Sequence, residues 1–157
     1  MSHVTRATQF LKAQGVSFAL AEYDYDPNAD RIGLAAAEAL GAEPARVLKT
    51  LMALVDGKAV CAILRSDGEV SMKKLAAAFA GKSAEMMKPA DAERLTGYHV
   101  GGISPFGQKK RVPAVLEESA LAQPRVFLNG GQRGLQVEMD PHEIVRVLSA
   151  VVAAIAV

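Results

Sequence analysis

The sequence predicts a mixed α+β fold in which about six strands form a curled or closed β-barrel flanked by helices. Two strand-like runs within residues 48–64 surround Asp56-Gly57, which is a strong signal for a β-hairpin. Further short strand-like runs follow residue 110, and the helical segments show no regular β-α-β alternation. A doubly wound parallel sheet therefore fits the sequence poorly.

The helices are predicted from apolar spacing and from residues that begin or end helices. Ala7, Phe10 and Leu11 have helical spacing after Thr5, a residue suited to the N-cap, and an Ala-rich segment ends at Gly41. We expect helices over residues 5–14, 31–40, 71–79 and 88–95, and one helical turn over residues 43–47.

The strands are predicted from alternating or continuously apolar runs bounded by turn residues. We expect them over residues 17–23, 48–55, 58–64, 112–116, 125–128 and 135–139. The run at 17–23 leads into a loop at Asp26-Pro27, and residues 129–131 form a turn.

A final helix is expected to start at Asp140-Pro141 and to continue as far as Ile155. Asp140 is suited to the N-cap, Pro141 to the first helical position and Glu143 to the capping box. Its buried face would comprise Ile144, Val145, Leu148, Val151, Val152 and Ile155.

Composition limits the classes of function. The chain has 157 residues, 50% of them hydrophobic, which is enough for one domain with its own core. The net charge of +1 argues against a strongly basic surface of the kind that binds DNA in general. We expect no signal peptide, and the apolar run at 145–157 is too short to span a bilayer. We therefore expect a cytoplasmic protein with no membrane partner.

No metal site or cofactor is expected. His3, His99 and His142 are far apart in sequence, and the single cysteine, Cys61, lies in an apolar run as a buried thiol would. The sequence also lacks the glycine-rich patterns that bind dinucleotides or nucleoside triphosphates.

Residues 101–111 form the most unusual segment. Gly101 and Gly102 permit a close approach of the backbone to a ligand, and Pro105 restricts Ser104. Lys109, Lys110 and Arg111 follow. The segment is either a loop that directs N–H groups at an acyl or phosphate oxygen, or a tight connection with a solvated basic edge. Ser104 has no recognisable base beside it, which argues against a nucleophile.

Three other side chains are candidates on local grounds. Lys49 begins an apolar strand, so it either opens into a cavity or reaches solvent at an edge. Tyr23 lies at a strand end and either lines a pocket or belongs to the core. Arg133, in a second glycine-rich turn, either binds an anion or is an ordinary hairpin arginine.

Together, the segments at residues 47–51, 97–111 and 130–135 resemble the YbaK family. These trans-editing aminoacyl-tRNA deacylases are related to the insertion domain of bacterial prolyl-tRNA synthetases. The resemblance runs from the Tyr23 strand to the final helix, and implies one editing domain over residues 1–157. It also implies a closed mixed barrel flanked by helices.

The resemblance implies removal of a wrong amino acid, typically cysteine, from tRNA for proline. The substrate thiol would attack the ester carbonyl and give a cyclic thiolactone, with the protein positioning the ester and stabilising charge. Lys49 would hold the phosphate or ribose of the terminal adenosine, and Gly101 with Gly102 would receive the aminoacyl carbonyl. The implied substrate-binding residues are Tyr23, Thr50, Ile103, Ser104, Pro105, Arg133 and Gln136.

Gln136 departs from the pattern of the family, since some family members carry aspartate at this position. It leaves open a second substrate, such as Ala-tRNA(Pro). The lack of a base among the candidates leaves a third possibility, a non-catalytic module that binds the tRNA end or a synthetase. The expected partners are the mischarged acceptor end and prolyl-tRNA synthetase, but not DNA.

Overall fold

The helices and strands below come from a computed structural model that describes residues 3–25, 28 and 32–157. The expected Asp26-Pro27 loop lies outside the described residues. The helices are α1 (Arg6–Ala13), α2 (Ile32–Leu40), α3 (Met72–Ala78), α4 (Pro89–Thr96) and α5 (Pro141–Leu148). Two short 3-10 helices span Pro44–Arg46 and Glu118–Ala122. No described helix has the length and apolar character needed to cross a membrane.

Eight described strands form two sheets. They are β1 (Ala19–Glu22), β2 (Leu48–Val55), β3 (Lys58–Arg65), β4 (Ala84–Met86), β5 (Ala114–Glu117), β6 (Val126–Asn129), β7 (Leu135–Met139) and β8 (Val151–Ala153). One sheet is antiparallel, with the order β1-β7-β6. The other has the order β4-β2-β3-β5-β8, and its β3-β5 and β5-β8 pairs are parallel. The α+β class is confirmed, but no closed barrel is found among these strands.

The β2-β3 hairpin forms at the predicted turn. Val55 pairs with Lys58, and both turn residues have positive φ, 49° for Asp56 and 81° for Gly57. The Asp56 carboxylate accepts hydrogen bonds from the backbone N–H groups of Lys82 and Ser83. The turn is thereby tied to the segment that leads into β4.

An isolated bridge joins the two sheets. Val47, immediately before β2, pairs in parallel with Phe127 of β6. Beside it, the Arg46 guanidinium donates to the carbonyl of Arg125 and to the Glu138 carboxylate, and lies 5.5 Å from the centre of the Phe127 ring. This junction holds the start of β2 against the three-stranded sheet.

The expectation of a long C-terminal helix is wrong. Helix α5 ends at Leu148, and Ser149 follows with a φ of 50°. The next residues pair with β5 as strand β8, and the Glu117 carboxylate accepts the N–H groups of Ile155 and Ala156. Pairing with a strand distant in sequence therefore overrides the helical spacing of the apolar residues.

The core lies on both faces of the five-stranded sheet. On one face, Leu48, Met52 and Ile63 pack with residues of the three-stranded sheet such as Leu128 and Val137. The opposite face has a second cluster. Side chains of β2 alternate between the two clusters, as expected for a strand buried on both faces.

Candidate active site

A cavity of about 410 Å³ lies along one edge of β2. Its lining includes every residue from 47 to 52. Consecutive side chains of a strand point to opposite faces of the sheet. Six consecutive residues can therefore line one cavity only if that cavity lies at the edge of the strand, where both faces are reached. On this edge β6 reaches only Val47 and β4 pairs only with residues 53–55, so the cavity occupies the gap between them.

The cavity wall is mainly apolar. The residues that form it include Met52, Met86, Met87, Pro89, Ala92, Val100 and Ile103. Met86 and Val100 are exposed and mark the opening to solvent. Methionine side chains adapt to the shape of a ligand, so this wall suits a flat or irregular apolar group.

Two residues of this wall each carry a polar atom that has no partner in the described part of the chain. Thr50 Oγ1 and Gln136 Oε1 are buried and have no hydrogen bond within the described part of the chain, and both residues line the cavity. Gln136 is only 4% exposed. Since buried polar groups are nearly always paired, two such atoms on residues that line one cavity favour a ligand with hydrogen-bonding groups there.

Tyr23 is held beside these atoms by strand pairing. Its N–H donates to the carbonyl of Gly134, and the Gln136 side chain hydrogen-bonds to its phenol. Burial raises the pKa of Tyr23, while the bond from Gln136 acts in the opposite direction. The phenol is therefore neutral at pH 7 and serves as a hydrogen-bonding group in the cavity wall.

Lys49 is also part of this wall. It is half-buried, and its ammonium group donates to the carbonyl of Gly68 at 2.5 Å. Of the two placements that the sequence left open, the structure has the one facing the cavity. The half-buried ammonium supplies positive charge at a mainly apolar cavity wall, where its attraction to an anionic oxygen is stronger than in bulk water.

The glycine loop contacts the cavity through Gly101 and Ile103. Gly101 has a φ of 91°, and a Cβ there would lie 2.5 Å from Tyr25 Oη. At Gly102 a Cβ would lie 2.9 Å from the backbone nitrogen of Arg133. Both glycines are thus required by close contacts, and the Gly102 N–H already donates to the carbonyl of His99.

The remaining candidates of the loop lie away from the cavity. Ser104 is fully buried, and its Oγ accepts the N–H of Phe106, while Pro105 lines a separate cavity of about 90 Å³. Arg133 is exposed and donates to the carbonyl of Val100. The cations at 109–111 do not line the main cavity; Arg111 donates instead to the carbonyl of Val147.

Asn129 was missed in the sequence. It lines the cavity, donates to the carbonyl of Gly101 at 3.1 Å, and accepts the N–H groups of Gly131 and Gln132. The Asn129 side chain is therefore hydrogen-bonded both to the glycine loop and to the β6-β7 turn. Its position before two glycines was a signal, since asparagine often bonds to the backbone of a following turn.

Among the residues that the structure describes, no group of three or more His, Cys, Asp or Glu side chains could hold a metal ion. The polar groups of the cavity are instead one ammonium, one phenol, hydroxyls and amides. This arrangement is able to bind and orient an ester and to stabilise negative charge.

The sequence of residues 26–147 matches the family of aminoacyl-tRNA editing domains. Because the match covers most of the chain, the protein belongs to this family. The expected family is confirmed, and with it the class of enzyme, an aminoacyl-tRNA deacylase that edits mischarged tRNA.

Comparison with individual proteins agrees with this family assignment. The chain is 37% identical over 125 residues to EbsC of Enterococcus faecalis, which is named as a Cys-tRNA(Pro)/Cys-tRNA(Cys) deacylase; the match covers 78% of this chain and 76% of EbsC. It is 33% identical over 85 residues to the proline–tRNA ligase of Acidithiobacillus ferrooxidans, covering 54% of this chain and 15% of the ligase.

Solved structures share the fold along nearly the whole chain. A crystal structure described as that of a trans-editing enzyme for prolyl-tRNA synthetase superposes with a TM-score of 0.84 and 25% identity, covering 97% of this chain and 95% of the other. A second, of a hypothetical protein, has a TM-score of 0.86 and 25% identity, covering 98% of this chain and all of the other.

Proposed function

We propose that this protein clears Cys-tRNA(Pro) in trans. The observation that carries the proposal is a pair of polar atoms without a partner among the described residues, Thr50 Oγ1 and Gln136 Oε1, on residues that line an apolar cavity together with Lys49 and Gly101. A cavity of this size suits the end of an aminoacylated tRNA, and the family supplies the reaction class.

The reaction we propose uses the nucleophile of the substrate. The cysteinyl sulfur attacks the ester carbonyl, the bond from the carbonyl carbon to the ribose oxygen breaks, and the thiol proton ends on that oxygen. The products are a cyclic thiolactone and free tRNA. This chemistry needs no protein nucleophile, which agrees with a buried Ser104 and a Cys61 whose pKa burial raises to about 12.

The protein contributes positioning and charge stabilisation. Gly101 and Ile103 line the cavity where the ester carbonyl is to lie, and the Lys49 ammonium would neutralise the adjacent phosphate or ribose oxygen. Tyr23, Thr50 and Gln136 would hydrogen-bond to the aminoacyl group and the ribose. Gly102 and Arg133 would act indirectly by fixing the shape of the loop, as Ser104 and Pro105 would from beneath it.

Gln136 favours a second candidate substrate. A neutral amide accepts hydrogen bonds without the charge that a carboxylate would offer to the substrate ammonium group. The same cavity therefore also suits a small uncharged residue such as alanine, for which the protein would have to activate water.

We propose the acceptor end of the tRNA as the principal nucleic-acid contact and a synthetase as the source of tRNA selectivity. The net charge of +1 is low for a protein that binds a whole tRNA by itself. The similarity to part of a proline–tRNA ligase supports prolyl-tRNA synthetase as that partner.

The test is deacylation of tRNA(Pro) charged in parallel with cysteine, serine and alanine, without added metal and with analysis of the sulfur product. We expect loss of cysteine alone, with thiolactone formed. Equal loss of serine or alanine would reject substrate-thiol catalysis. Binding of the acceptor stem without loss of any ester would instead identify a non-catalytic module.

A further inference from the structure

Along the edge of β2 that faces the cavity, the Leu48 carbonyl and the N–H and carbonyl groups of Thr50 have no backbone partner among the residues that the structure describes. In an antiparallel pair, the N–H and C=O groups of alternate residues point to opposite edges of the strand. The carbonyl of Val47 accepts from Ser66 on the β3 side, whereas the carbonyl of Met52 accepts from Met87 on the β4 side. The backbone groups of Leu48 and Thr50 therefore point to the same edge as Met52, toward the cavity.

Among the described strands, none pairs with residues 49–51 on that edge, and the Val47 bridge leaves the Leu48 carbonyl without a backbone partner there. Strand β6 reaches the edge only through the Val47 bridge, and β4 begins its pairing at Ala53. The order of groups along the gap is the Leu48 carbonyl, the Thr50 N–H and the Thr50 carbonyl. This is an acceptor, a donor and a second acceptor in one plane.

An added peptide strand does not suit this gap. Four residues of a strand extend over about 13 Å, and both ends of the gap are closed, by the β6 bridge and by β4. An extended peptide needs to continue past its last hydrogen bond, as it does along an open sheet edge. The occupant must therefore be short and flat.

We propose that this edge binds the adenine ring at the acceptor end of the substrate tRNA; the inference rests on the proposed function. The Watson–Crick edge of adenine presents the N6 amino donor, the N1 acceptor and the weak donor C2–H. These groups complement, in order, the Leu48 carbonyl, the Thr50 N–H and the Thr50 carbonyl.

The surroundings of the edge fit a purine. A ring in the plane of the sheet has its two faces against the side chains that β2 and its neighbours direct to either side. Met52 and Met87, both lining the cavity, supply polarisable apolar contacts there. Recognition through backbone groups also leaves the side chains of Thr50 and Gln136 available for the aminoacyl group.

The experiment measures kcat/KM with cysteinylated acceptor-stem RNAs that differ only in the terminal base. Purine riboside lacks the 6-amino group and 1-deazaadenosine lacks N1, so each should lower kcat/KM about tenfold, the effect of losing one hydrogen bond. The control base, 7-deazaadenosine, changes an atom that the edge does not contact and should stay within about twofold. Equal rates for all four bases would overturn the inference and leave the proposed function intact.

A protein variant separates backbone from side-chain recognition. Thr50→Val keeps the N–H and the carbonyl but removes the hydroxyl. It should preserve the ratio of rates between adenosine and purine riboside, whatever its own activity. Loss of that ratio would assign base recognition to the Thr50 side chain and would also overturn the inference.

If the protein hydrolyses none of the esters, nucleotide binding tests the inference instead. Titration with adenosine monophosphate should shift the Thr50 backbone amide signal in a nitrogen-15 NMR spectrum, whereas inosine monophosphate, with a carbonyl at position 6, should do so at least tenfold more weakly. An unmoved Thr50 signal, or equal shifts by both nucleotides, would refute adenine recognition. A shift caused only by an extended peptide would assign the edge to a peptide.

Discussion

The guanidinium carbon of Arg133 lies 5.2 Å from the centre of the Tyr25 ring, and the phenol of Tyr25 in turn lies against Gly101. Arg133 also donates to the carbonyl of Val100, next to Gly101 in the chain. One arginine thus holds both the backbone of the glycine loop and the aromatic ring that covers it. The loop is shaped by contacts from the β6-β7 turn as much as by its own glycines.

Gly101→Ala should abolish most activity while the protein still folds. The added Cβ would displace Tyr25, and a φ of 91° strains alanine. We expect at least about a tenfold loss of deacylation rate, and a loss of about 1–2 kcal/mol in the free energy of unfolding. Gly57→Ala is the matched control, since Gly57 has a φ of 81° and open space around it. It should lose similar stability and no activity; equal activity losses would contradict the assignment.

Lys49→Ala should lower deacylation of Cys-tRNA(Pro) by about a hundredfold or more, because a preorganised positive charge is lost from the cavity. Circular dichroism and thermal unfolding should show that the fold persists. Lys58→Ala, at an exposed lysine of the adjacent strand, is the control and should retain full turnover. Unaltered turnover of Lys49→Ala would remove this lysine from the mechanism.

Gln136→Leu should lower the rate of deacylation while changing the stability of the protein only slightly. The substitution removes an acceptor, Oε1, that has no partner among the described residues, together with the hydrogen bond to the Tyr23 phenol, so the free energy of unfolding should fall by no more than about 1.5 kcal/mol. The rate should fall about tenfold, because a hydrogen bond to the substrate is lost. Gln132→Leu changes a half-buried glutamine that does not line the cavity and should leave the rate unchanged. A matching loss in both variants would indicate a general effect on the turn.

Cys61 should destabilise the protein at alkaline pH. Burial raises the pKa of its thiol from 9.0 to about 12, so above pH 9 the unfolded chain releases a proton that the folded chain retains. Stability is fully present below pH 9 and is lost as the pH rises toward 12, with a slope that approaches about 1.4 kcal/mol per pH unit.

The comparison for Cys61 is Cys61→Ala, measured by urea unfolding between pH 8 and 11. The variant has a lower absolute stability because it leaves a cavity, but the slope is the diagnostic quantity. Wild type should show the steeper decline. Parallel slopes would mean that the thiol ionises equally in both states.

Local sequence patterns were sufficient for the parts of the fold that depend on neighbouring residues. The Asp56-Gly57 turn fixed the long hairpin, and alternation gave β7 its observed bounds. Strands β4 and β8 were not predicted, because each has only three residues and exists through pairing with distant strands. The two valines at the start of β8 favour a strand, but they also continued the helical spacing of α5.

The candidate site was predictable where a residue was unusual for its position. A lysine opening an apolar strand indicated Lys49, whereas Thr50 and Gln136 were named only through the family resemblance. The roles assigned to these residues remain predictions. The methionines of the wall and the unpaired edge of β2 were not accessible from sequence, because a gap between strands is defined by where the partner strands stop.

The junction at Val47 and Arg46 gives this fold a way to alter its selectivity from outside the cavity. The Val47–Phe127 bridge and the bonds of Arg46 set the spacing between the two sheets, and Arg46, Arg125 and Phe127 do not line the cavity. Substitutions at these three positions would change the width of the binding site while every residue that contacts the substrate stayed the same. We therefore expect substitutions at this junction to change the size of the amino acid that the site accepts.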